Sequence, residues 1–478
     1  MLFNSIHFAI FLPIVFLLYW FATNKNLKYQ NLLLLSCSYF FYACWDWRFL
    51  FLLMFSTALD YFTGIKMHES ENPRVKKFWF WLSITTNLGF LGIFKYYDFF
   101  ATSLAESLTT VGLQVHITTL NIILPVGISF YTFHGLSYVI DIYKDRIVPE
   151  KNIVDYSLFV SYFPLLVAGP IERATHLLPQ IKQKRLFDYG KAMDGFYQIL
   201  WGLFKKLVIA DSCAQYANEI FGNYDQMNSL TLLLGALYFT FQIYGDFSGY
   251  SDIALGASKL FGIDLLRNFN YPYFSRDIAE FWRRWHISLS TWFRDYLYIP
   301  LGGSKGGIAT KIRNTFVIFI VSGFWHGANW TFIAWGALNA IYFLPLLIAG
   351  RNRAHMEIVA KGRWLPSLRE FISISVTFAM TVLAWIFFRA NTVTDAIHYI
   401  KKMLIFDFSG KVQYLEMDRY TIEMIPLLVL FIVIEWLSRE HEHPVFGRQK
   451  LIKSLLIITG ILVFGAFSNA GDFIYFQF

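Results

Sequence analysis

The chain has 478 residues, of which 56% are hydrophobic, 20% aromatic and only 15% charged, and its formal net charge is +8 at pH 7. Soluble domains carry about a quarter of charged residues, so this composition excludes a soluble globule, a disordered chain, a collagen and a coiled coil. The Lys and Arg residues fall in short clusters between apolar runs, which argues against a nucleic-acid-binding patch. Because one globule could not hide so much apolar surface from water, we predict a polytopic membrane protein.

Apolar stretches in the sequence predict about 11 membrane-spanning helices. The hydrocarbon layer is about 30 Å thick, and the runs lack the period-two alternation of barrel strands, so helices are expected. The predicted fold class is therefore an all-α polytopic membrane protein, organised as one integral-membrane domain over residues 1–478 without internal repeats. The predicted spans are Leu2–Phe21, Gln30–Cys44, Phe49–Ile65, Phe78–Phe94, Thr119–Ile142, Phe196–Ala210, Leu230–Tyr244, Phe332–Ala349, Phe371–Phe388, Met424–Leu437 and Leu455–Phe467.

Basic residues between the spans predict the orientation of the chain. No Lys or Arg precedes the first span, whereas Lys25 and Lys28 follow it. The connection after the third span is again basic, and the loop Ala101–Ile117 contains neither Lys nor Arg. Because cytoplasmic loops are enriched in Lys and Arg, we expect the amino terminus outside.

The alternation of basic and neutral loops fails after the fifth span. The apolar run Tyr156–Ala168 is short, ends at Gly169-Pro170, and is followed by a basic segment where an outer loop would be due. A broken helix at membrane depth is tolerated only where protein or water lines it. We therefore predict a re-entrant or interfacial element here.

Polar side chains become frequent from Gly245 to Trp330. Asp246 and several hydroxyl-bearing residues directly follow a predicted span. An ionisable residue at membrane depth indicates a functional site, whereas the same residue at the interface simply caps the next helix. Both readings of Asp246 stay open from the sequence.

The segment Asp277–Asp295 carries aromatic and aliphatic side chains at helical spacing, with arginines among them. This composition is typical of a helix that lies in the plane of the membrane interface. Arg283 and Arg284, beside Trp285, either anchor the helix to lipid headgroups or form a cationic mouth for a phosphate-bearing donor. His286 lies in the same predicted helix, where a lone histidine is more often a hydrogen-bonding residue than a catalyst.

The apolar segment Thr315–Trp325 has only about 11 residues, so a helix over it ends near the bilayer centre. The motif WHGANW follows at residues 325–330. An imidazole at that depth is expensive to bury unless it lines a cavity, which favours a functional His326 over a core histidine satisfied by a carbonyl. His326 could take a proton from a hydroxyl nucleophile, and Asn329 or Trp325 could donate to the developing oxyanion.

Other chemistries have little support in the sequence. GxxxxGK[ST] and HExxH motifs are absent, and none of the 11 histidines has Asp five positions later. Cys37, Cys44 and Cys213 show no paired spacing, and the run HEH at 441–443 fits a solvated loop better than a metal site. We expect no metal and no permanently bound cofactor.

Several distinctive segments are distributed over nearly the whole chain, and the longest lie in the polar region. The segments are FWRRWHISLSTW (281–292), RDYLYIPLGG (294–303), WHG (325–327), FNS (3–5), GPIE (169–172), QIYGDFSGYSD (242–252), FFRA (387–390) and FIYFQF (473–478). Together they resemble the membrane-bound O-acyltransferase (MBOAT) family, in particular its bacterial alginate O-acetyltransferase-like branch.

This resemblance implies a helical bundle around a central funnel or tunnel, with His326 as the catalytic histidine at its narrow point and His286 shaping or gating it. It implies acetyl-CoA as the acyl donor on the cytoplasmic side of a bacterial inner membrane, and it favours the donor-mouth reading of Arg283 and Arg284. The acceptor would be an exported or cell-envelope polysaccharide resembling alginate, reached with a periplasmic or extracellular acetyltransferase partner.

Alternatives to alginate acetylation stay open. Relatives of this kind acetylate peptidoglycan or cellulose, and the same scaffold transfers D-alanine to teichoic acid. A different class of function is a non-enzymatic transporter or scaffold, whose buried polar groups gate a solute path while a partner transferase does the chemistry.

Overall fold

The computed structural model describes residues 1–113, 117–407, 424–467 and 473–474, and these residues contain α-helices and no β-strand. The predicted all-α fold class is confirmed. Of the closing motif FIYFQF, residues 475–478 lie outside the described part. In chain order the helices are α1 (Ile6–Leu17), α2 (Leu27–Ala43), α3 (Trp47–Glu69), α4 (Pro73–Leu91), α5 (Tyr97–Thr110), α6 (Ile128–Tyr143), α7 (Ile153–Ser161), α8 (Ala174–Lys182), α9 (Tyr189–Phe204), α10 (Asp211–Gly222), α11 (Ser229–Leu260), α12 (Ile278–Arg284), α13 (Ile287–Phe293), α14 (Ile308–His326), α15 (Trp330–Ile348), α16 (Leu368–Arg389), α17 (Val393–Met403), α18 (Met424–Ser438) and α19 (Lys450–Phe464).

Short π-helical turns extend or join several of these helices. One, Leu18–Ala22, continues α1, and another, Arg294–Tyr298, continues α13. Two more, Gly92–Tyr96 and Lys205–Ala210, join α4 to α5 and α9 to α10. Such turns widen the helix locally and are frequent at functional sites.

Four of the described helices are long and apolar enough to cross a membrane, namely α3, α11, α15 and α16. The segments Ile6–Ala22 and Met424–Ser438 are shorter apolar helices. These helices support a multi-pass membrane protein, while the number of about 11 spans stays a prediction.

Two predicted spans differ clearly from the helices observed in their places. The predicted span Leu230–Tyr244 is only the first half of α11, which continues to Leu260. The second difference is in the fifth span. The sequence predicts Thr119–Ile142, but α6 begins only at Ile128. Gly127 precedes the helix in the left-handed conformation, with φ of 74°, and a Cβ there would lie 2.1 Å from the carbonyl oxygen of Leu166. This close backbone approach fixes the entry to α6, and the apolar residues before it are not helical.

The chain packs as two compact units, residues 1–195 with 257–266 and residues 196–256 with 267–478. In the first unit, α3, α4 and α6 pack around a buried polar cluster. The Asp60 carboxylate accepts hydrogen bonds from Ser83 Oγ at 2.6 Å and from Asn87 Nδ2 at 2.7 Å. Hydrogen bonds of this kind join helices where a hydrophobic driving force between them is missing. The organisation of residues 1–478 as one integral-membrane domain stays a prediction.

The predicted interruption after the fifth span lies inside the first unit. Helix α7 ends at Ser161, and the chain is irregular until α8 begins at Ala174. Residues 162–172 of this connection are all buried. The broken helix is therefore lined by protein, which is the condition for irregular backbone at membrane depth.

In the second unit, α14 and α15 form an antiparallel hairpin whose backbones touch. A Cβ on Gly323 would lie 2.2 Å from the carbonyl oxygen of Phe332, and one on Gly336 would lie 2.3 Å from that of Phe319. Small residues allow helices to approach this closely within a membrane. The WHG motif and its flanking residues form the tip of this hairpin.

The substitution Gly336→Ala should lower the stability of the protein and disturb the hairpin. The added methyl group meets backbone atoms that cannot rotate away, and overpacking typically costs about 1–3 kcal/mol. Thermal unfolding of the purified protein in detergent would measure the change. Gly89→Ala in α4 is the matched control, because nothing lies within 4 Å of a Cβ there. A melting temperature lowered equally by both substitutions would contradict the close approach.

Candidate active site

The structure brings the two predicted catalytic histidines together in the second unit. The ring centroids of His286 and His326 are 6.4 Å apart. His286 is 1% exposed and His326 is 4% exposed, so both imidazoles are buried. The two residues lie 40 positions apart in sequence, on separate helical segments, and tertiary packing places them side by side.

His326 occupies the last position of α14. The helix ends there because the chain becomes extended at Gly327, where a Cβ would lie 2.1 Å from the ring of Phe332. Asn329 then begins α15 as its N-cap, accepting a hydrogen bond from the amide of Thr331 at 3.0 Å. The tip of the hairpin is thus a short, fixed turn that holds the imidazole in place.

The helix that carries His326 is longer than the apolar pattern predicts. The sequence predicts a segment of about 11 residues over Thr315–Trp325, whereas α14 has 19 residues and is about 28 Å long. The polar turn Ile308–Asn314 is also helical, because Asn314 donates from its side chain to the carbonyl oxygens of Leu301 and Gly303. The position of His326 at the bilayer centre stays a prediction.

Aromatic rings surround the His326 imidazole. The centroids of Trp325, Trp335 and Phe388 lie 4.9, 5.3 and 5.4 Å from that of His326. Trp335 in turn stacks on Trp385, with centroids 5.6 Å apart. These rigid walls hold the imidazole in one orientation and limit the access of water. The sequence analysis singled out Trp325 but not Trp335 or Trp385, whose spacing is that of any apolar helix.

His286 lies at a break in the predicted interfacial helix. The sequence predicts one helix over Asp277–Asp295, but α12 ends at Arg284 and α13 begins at Ile287. His286 itself adopts the left-handed conformation, with φ of 44°. This conformation is uncommon for residues other than glycine, and it clusters at active sites.

Backbone hydrogen bonds from the preceding segment explain the break. The amide of Asn270 donates to the carbonyl of Arg284 at 2.9 Å, and the amide of Ile287 donates to the carbonyl of Asn268 at 2.9 Å. These bonds replace the helical ones on both sides of His286. The prediction of one continuous helix is therefore wrong, because a tertiary contact overrides a clear helical periodicity.

The side chain of Asn268 determines how His286 is protonated. Asn268 Oδ1 accepts from the amide of Ser288 at 3.3 Å and from its hydroxyl at 2.9 Å, while Asn268 Nδ2 donates to Ser251 Oγ at 3.1 Å. Since a backbone amide can only donate, this atom is the oxygen, and His286 Nδ1, 3.1 Å away, carries the proton. The hydrogen-bond network thus leaves the lone pair on Nε2.

The Nε2 atom of His286 is buried, and it has no hydrogen-bond partner among the described residues. The edge of Phe247 packs against the imidazole at 4.6 Å between centroids, which fixes the ring from the side. An acceptor atom held in this way can receive a hydrogen bond from a hydroxyl or thiol. Asn268, the residue that orients this acceptor, is not evident from the sequence, because a lone asparagine between Arg267 and Phe269 carries no recognisable motif.

The two predicted donor-binding arginines have different surroundings. Arg283 is half-buried and donates to the carbonyls of Asn352 and His355 at 2.7 and 2.8 Å. Arg284 is buried, pairs with Glu280 at 2.8 Å, and donates to the carbonyl of Glu357 at 3.0 Å. Most donors of Arg284 are therefore used within the protein, and its geometry is that of a positioning residue.

Glu280 forms ion pairs with Arg276 and Arg284. Burial alone would raise its pKa, but hydrogen bonds from Arg276 and the charge of Arg284 hold the pKa of the Glu280 carboxyl below its usual value. The Glu280 carboxylate is therefore ionised at neutral pH, and its ion pairs hold Arg276 and Arg284 in place.

Three further residues are predicted to line the site, namely Trp285, Asn329 and Asp246. Trp285 is buried against Trp385, with centroids 4.9 Å apart, and thus joins the aromatic wall. Asn329 uses one N–H on the carbonyl of Asn391 at 2.9 Å. Asp246 pairs with Lys206 at 2.8 Å and accepts from the amide of Ile474 at 2.7 Å, so it lies mid-helix in an ion-pair network. It caps no helix.

Comparison with known proteins places this geometry in a family. The model of the MBOAT, membrane-bound O-acyltransferase family, matches residues 144–388, which include both histidines. The probable alginate O-acetylase AlgI of Pseudomonas aeruginosa is 38% identical over 417 residues, covering 87% of this chain and 76% of that protein. The protein of the same name in Azotobacter vinelandii is 37% identical, covering 94% and 87%.

The alignment with a third relative covers this chain and that relative almost completely. The peptidoglycan O-acetyltransferase of Helicobacter pylori is 33% identical over an alignment of 528 positions, covering 100% of this chain and 98% of that protein. The resemblance found in the sequence is thereby confirmed. The chain belongs to the membrane-bound O-acyltransferase family and is an O-acyltransferase.

Proposed function

We propose that this protein takes acetyl from cytoplasmic acetyl-CoA and passes it across the bacterial inner membrane for O-acetylation of an exported or cell-envelope polysaccharide. The observation that carries the proposal is the pair of buried imidazoles, His286 and His326, held 6.4 Å apart within aromatic walls. The relatives are named as alginate and peptidoglycan O-acetylating enzymes, which supports a polysaccharide acceptor.

His326 is the general base in this proposal. Its imidazole takes the proton of the acceptor hydroxyl while the hydroxyl oxygen forms a bond to the thioester carbonyl carbon. The carbon–sulfur bond then breaks, and the proton passes from His326 to the leaving CoA sulfur. An imidazole is suited to both steps because it titrates near neutral pH. Trp325 and the second N–H of Asn329 are the proposed donors to the oxyanion.

His286 is a positioning residue that shapes and gates the proposed funnel. Its Nε2 lone pair offers a fixed acceptor on a ring whose centroid lies 6.4 Å from that of His326, and Asn268 keeps this nitrogen unprotonated. A hydrogen bond from the incoming hydroxyl to this atom would align the nucleophile before His326 removes its proton. The two imidazoles would thus divide alignment and proton transfer between them.

The donor mouth is assigned mainly to Arg283. Its guanidinium donates to two loop carbonyls and is half-buried, so the remaining N–H groups can reach a CoA phosphate. Arg284, Trp285 and Asp246, which the sequence analysis also placed at the substrate, support the site through their ion pairs and ring contacts. In this proposal, these three residues do not have to contact the substrate.

The final acceptor is proposed to be an alginate-like polymer, reached through a periplasmic or extracellular acetyltransferase partner. Peptidoglycan is the strongest competitor, since the Helicobacter relative matches over nearly its whole length. Cellulose acetylation and D-alanylation of teichoic acid use comparable chemistry. Ester analysis of the cell envelope in a deletion strain would distinguish these acceptors.

The substitution His326→Ala should abolish acetyl transfer while leaving the protein folded and inserted. Loss of a general base typically lowers the rate about 100- to 10,000-fold. Release of free CoA thiol from acetyl-CoA by the purified protein in liposomes, with partner and acceptor supplied, would measure it. His68→Ala is the matched control, because that imidazole is exposed at the end of α3.

Normal turnover in a well-expressed His326→Ala variant would refute the role of this residue. Polymer acetylation without any consumption of acetyl-CoA by the purified protein would favour a transporter or scaffold instead.

The substitution Asn268→Ala should lower kcat about tenfold with little change in the KM for acetyl-CoA. Without the acceptor oxygen, His286 can move its proton to Nε2 and present a donor in place of an acceptor. Ser251→Ala is the matched control, since it removes only the hydrogen bond that Asn268 donates. If both variants lose activity through KM alone, or in parallel with a fall in stability, the orienting role is wrong.

The substitution Arg283→Glu should raise the KM for acetyl-CoA about tenfold or more and change kcat less, because a guanidinium–phosphate contact becomes a repulsion. Steady-state kinetics over a range of acetyl-CoA concentrations would measure both constants. Arg294→Glu serves as the control, because its guanidinium is exposed and pairs only with its neighbour Asp295 in the described structure. An unchanged KM would return Arg283 to the role of a lipid anchor.

A further inference from the structure

A basic cleft lies in the first unit, and none of its lining residues belongs to the candidate active site. A cleft of about 380 Å³ opens beside the π-helical turn Leu18–Ala22 and the loop that follows α8. Three cations line it, Lys25, Lys184 and Arg185, and no carboxylate among the described residues does. The proposed acetyl transfer assigns no role to this cleft.

Aromatic side chains form a rigid wall of the cleft. Phe187 packs edge-on against Phe16 and Trp20, with centroids 6.0 and 5.3 Å away. Trp20 is itself fixed, since its Nε1 donates to the carbonyl of Leu260 at 2.9 Å. The cleft therefore keeps its shape without a ligand and offers an apolar surface beside the three cations.

Arg185 is the polar centre of the cleft. It is 6% exposed, and its guanidinium lies 5.5 Å from the ring of Tyr19. Its Nη2 donates to Asn31 Oδ1, and Asn31 in turn donates to the carboxylate of Asp155 at 2.8 Å. The Asp155 carboxylate is thus linked to the guanidinium through Asn31 and does not pair with it directly.

Two nitrogens of the buried guanidinium, Nε and Nη1, have no acceptor in normal hydrogen-bond geometry among the described residues, and the Tyr19 side chain is their polar neighbour. A buried charge with unsatisfied donors is costly unless an anion completes it. A guanidinium N–H group donates well to an oxyanion such as a phosphate. Lys25 and Lys184 are exposed and add two mobile ammonium groups at the mouth.

The rim of the cleft indicates what accompanies the anion. Phe21 and Leu186 also line the cleft and are 78% and 75% exposed, which is unusual for such large apolar side chains unless they face hydrocarbon. Basic pockets beside membrane helices on the cytoplasmic side are suited to anionic headgroups. Lys25 belongs to a loop that the positive-inside rule places on that side.

We propose that this cleft binds one anionic phospholipid, with its phosphate on Arg185, Lys25 and Lys184 and its acyl chains along Phe21 and Leu186. The lipid would supply a counter-charge to the three cations and hold the loop after α8 against the turn that follows α1. The same phosphate chemistry also occurs in CoA, so the test must separate the two sources.

Native mass spectrometry of the full-length protein, released from detergent with graded phosphatidylglycerol or phosphatidylcholine, would measure the binding. We expect one phosphatidylglycerol to bind preferentially. Each Lys or Arg near an anionic headgroup strengthens binding about fivefold. The double variant Lys25→Gln/Lys184→Gln should therefore raise the apparent Kd about 25-fold, and Arg185→Gln should raise it further.

The matched control is Lys28→Gln/Lys77→Gln, which removes the same charge from two exposed lysines that do not line the cleft. Equal affinity in the two double variants would overturn the proposal, even if Arg185→Gln failed to fold. Displacement of the bound lipid by CoA at equal concentration, but not by inorganic phosphate, would assign the cleft to the donor and would also overturn it. Retention of acetyl transfer by the Lys25→Gln/Lys184→Gln variant would leave the function of His326 untouched.

Discussion

Burying two imidazoles side by side is the constraint on which the active site depends. His326 can lie there only because Gly323 and Gly336 let two helices touch and because the chain turns sharply at Gly327. His286 can meet it only because the chain leaves the helix at a left-handed residue. A larger residue at any of these glycines, or a regular helix through His286, would move one imidazole away from the other.

The aromatic surroundings explain how such a site could work within an apolar protein. Trp335 and Phe388 pack against the His326 ring, and Trp385 stacks on Trp335, so these uncharged side chains restrict the orientation of the imidazole. The His286 ring is fixed instead by a hydrogen bond to Asn268, which also selects its tautomer. Both imidazoles are thus held by their neighbours, the His326 ring within aromatic side chains and the His286 ring by Asn268.

The sequence already indicates both histidines of the candidate site, because short motifs mark them. The WHG motif and the run around His286 pointed to the two histidines and to the family. The break at His286 was not predictable, since residues 281–292 keep a clear helical period and the hydrogen bonds that override it come from the segment 268–270. Asn268 was missed for the same reason, because its partners are assembled only in the folded chain.

The same contrast applies to the spans. Hydropathy predicted that the chain is helical and apolar, but it extended one span over Thr119–Ile142, where a backbone contact at Gly127 delays the start of α6. Hydropathy also restricted the predicted helix that leads to His326 to its apolar residues, Thr315–Trp325. In the structure the helix begins at Ile308, and side-chain hydrogen bonds from Asn314 support this additional segment. Periodicity reports burial and length, whereas tertiary hydrogen bonds decide where a helix begins and ends.

The most direct test of the central claim is a structure of the protein with a non-hydrolysable acetyl-CoA analogue. The account predicts that the carbonyl carbon of the analogue lies near the His326 imidazole, within about 3.5 Å of a position that an attacking hydroxyl could occupy. An analogue bound elsewhere, with the two imidazoles enclosed in dry packing and closed to both sides of the membrane, would contradict it.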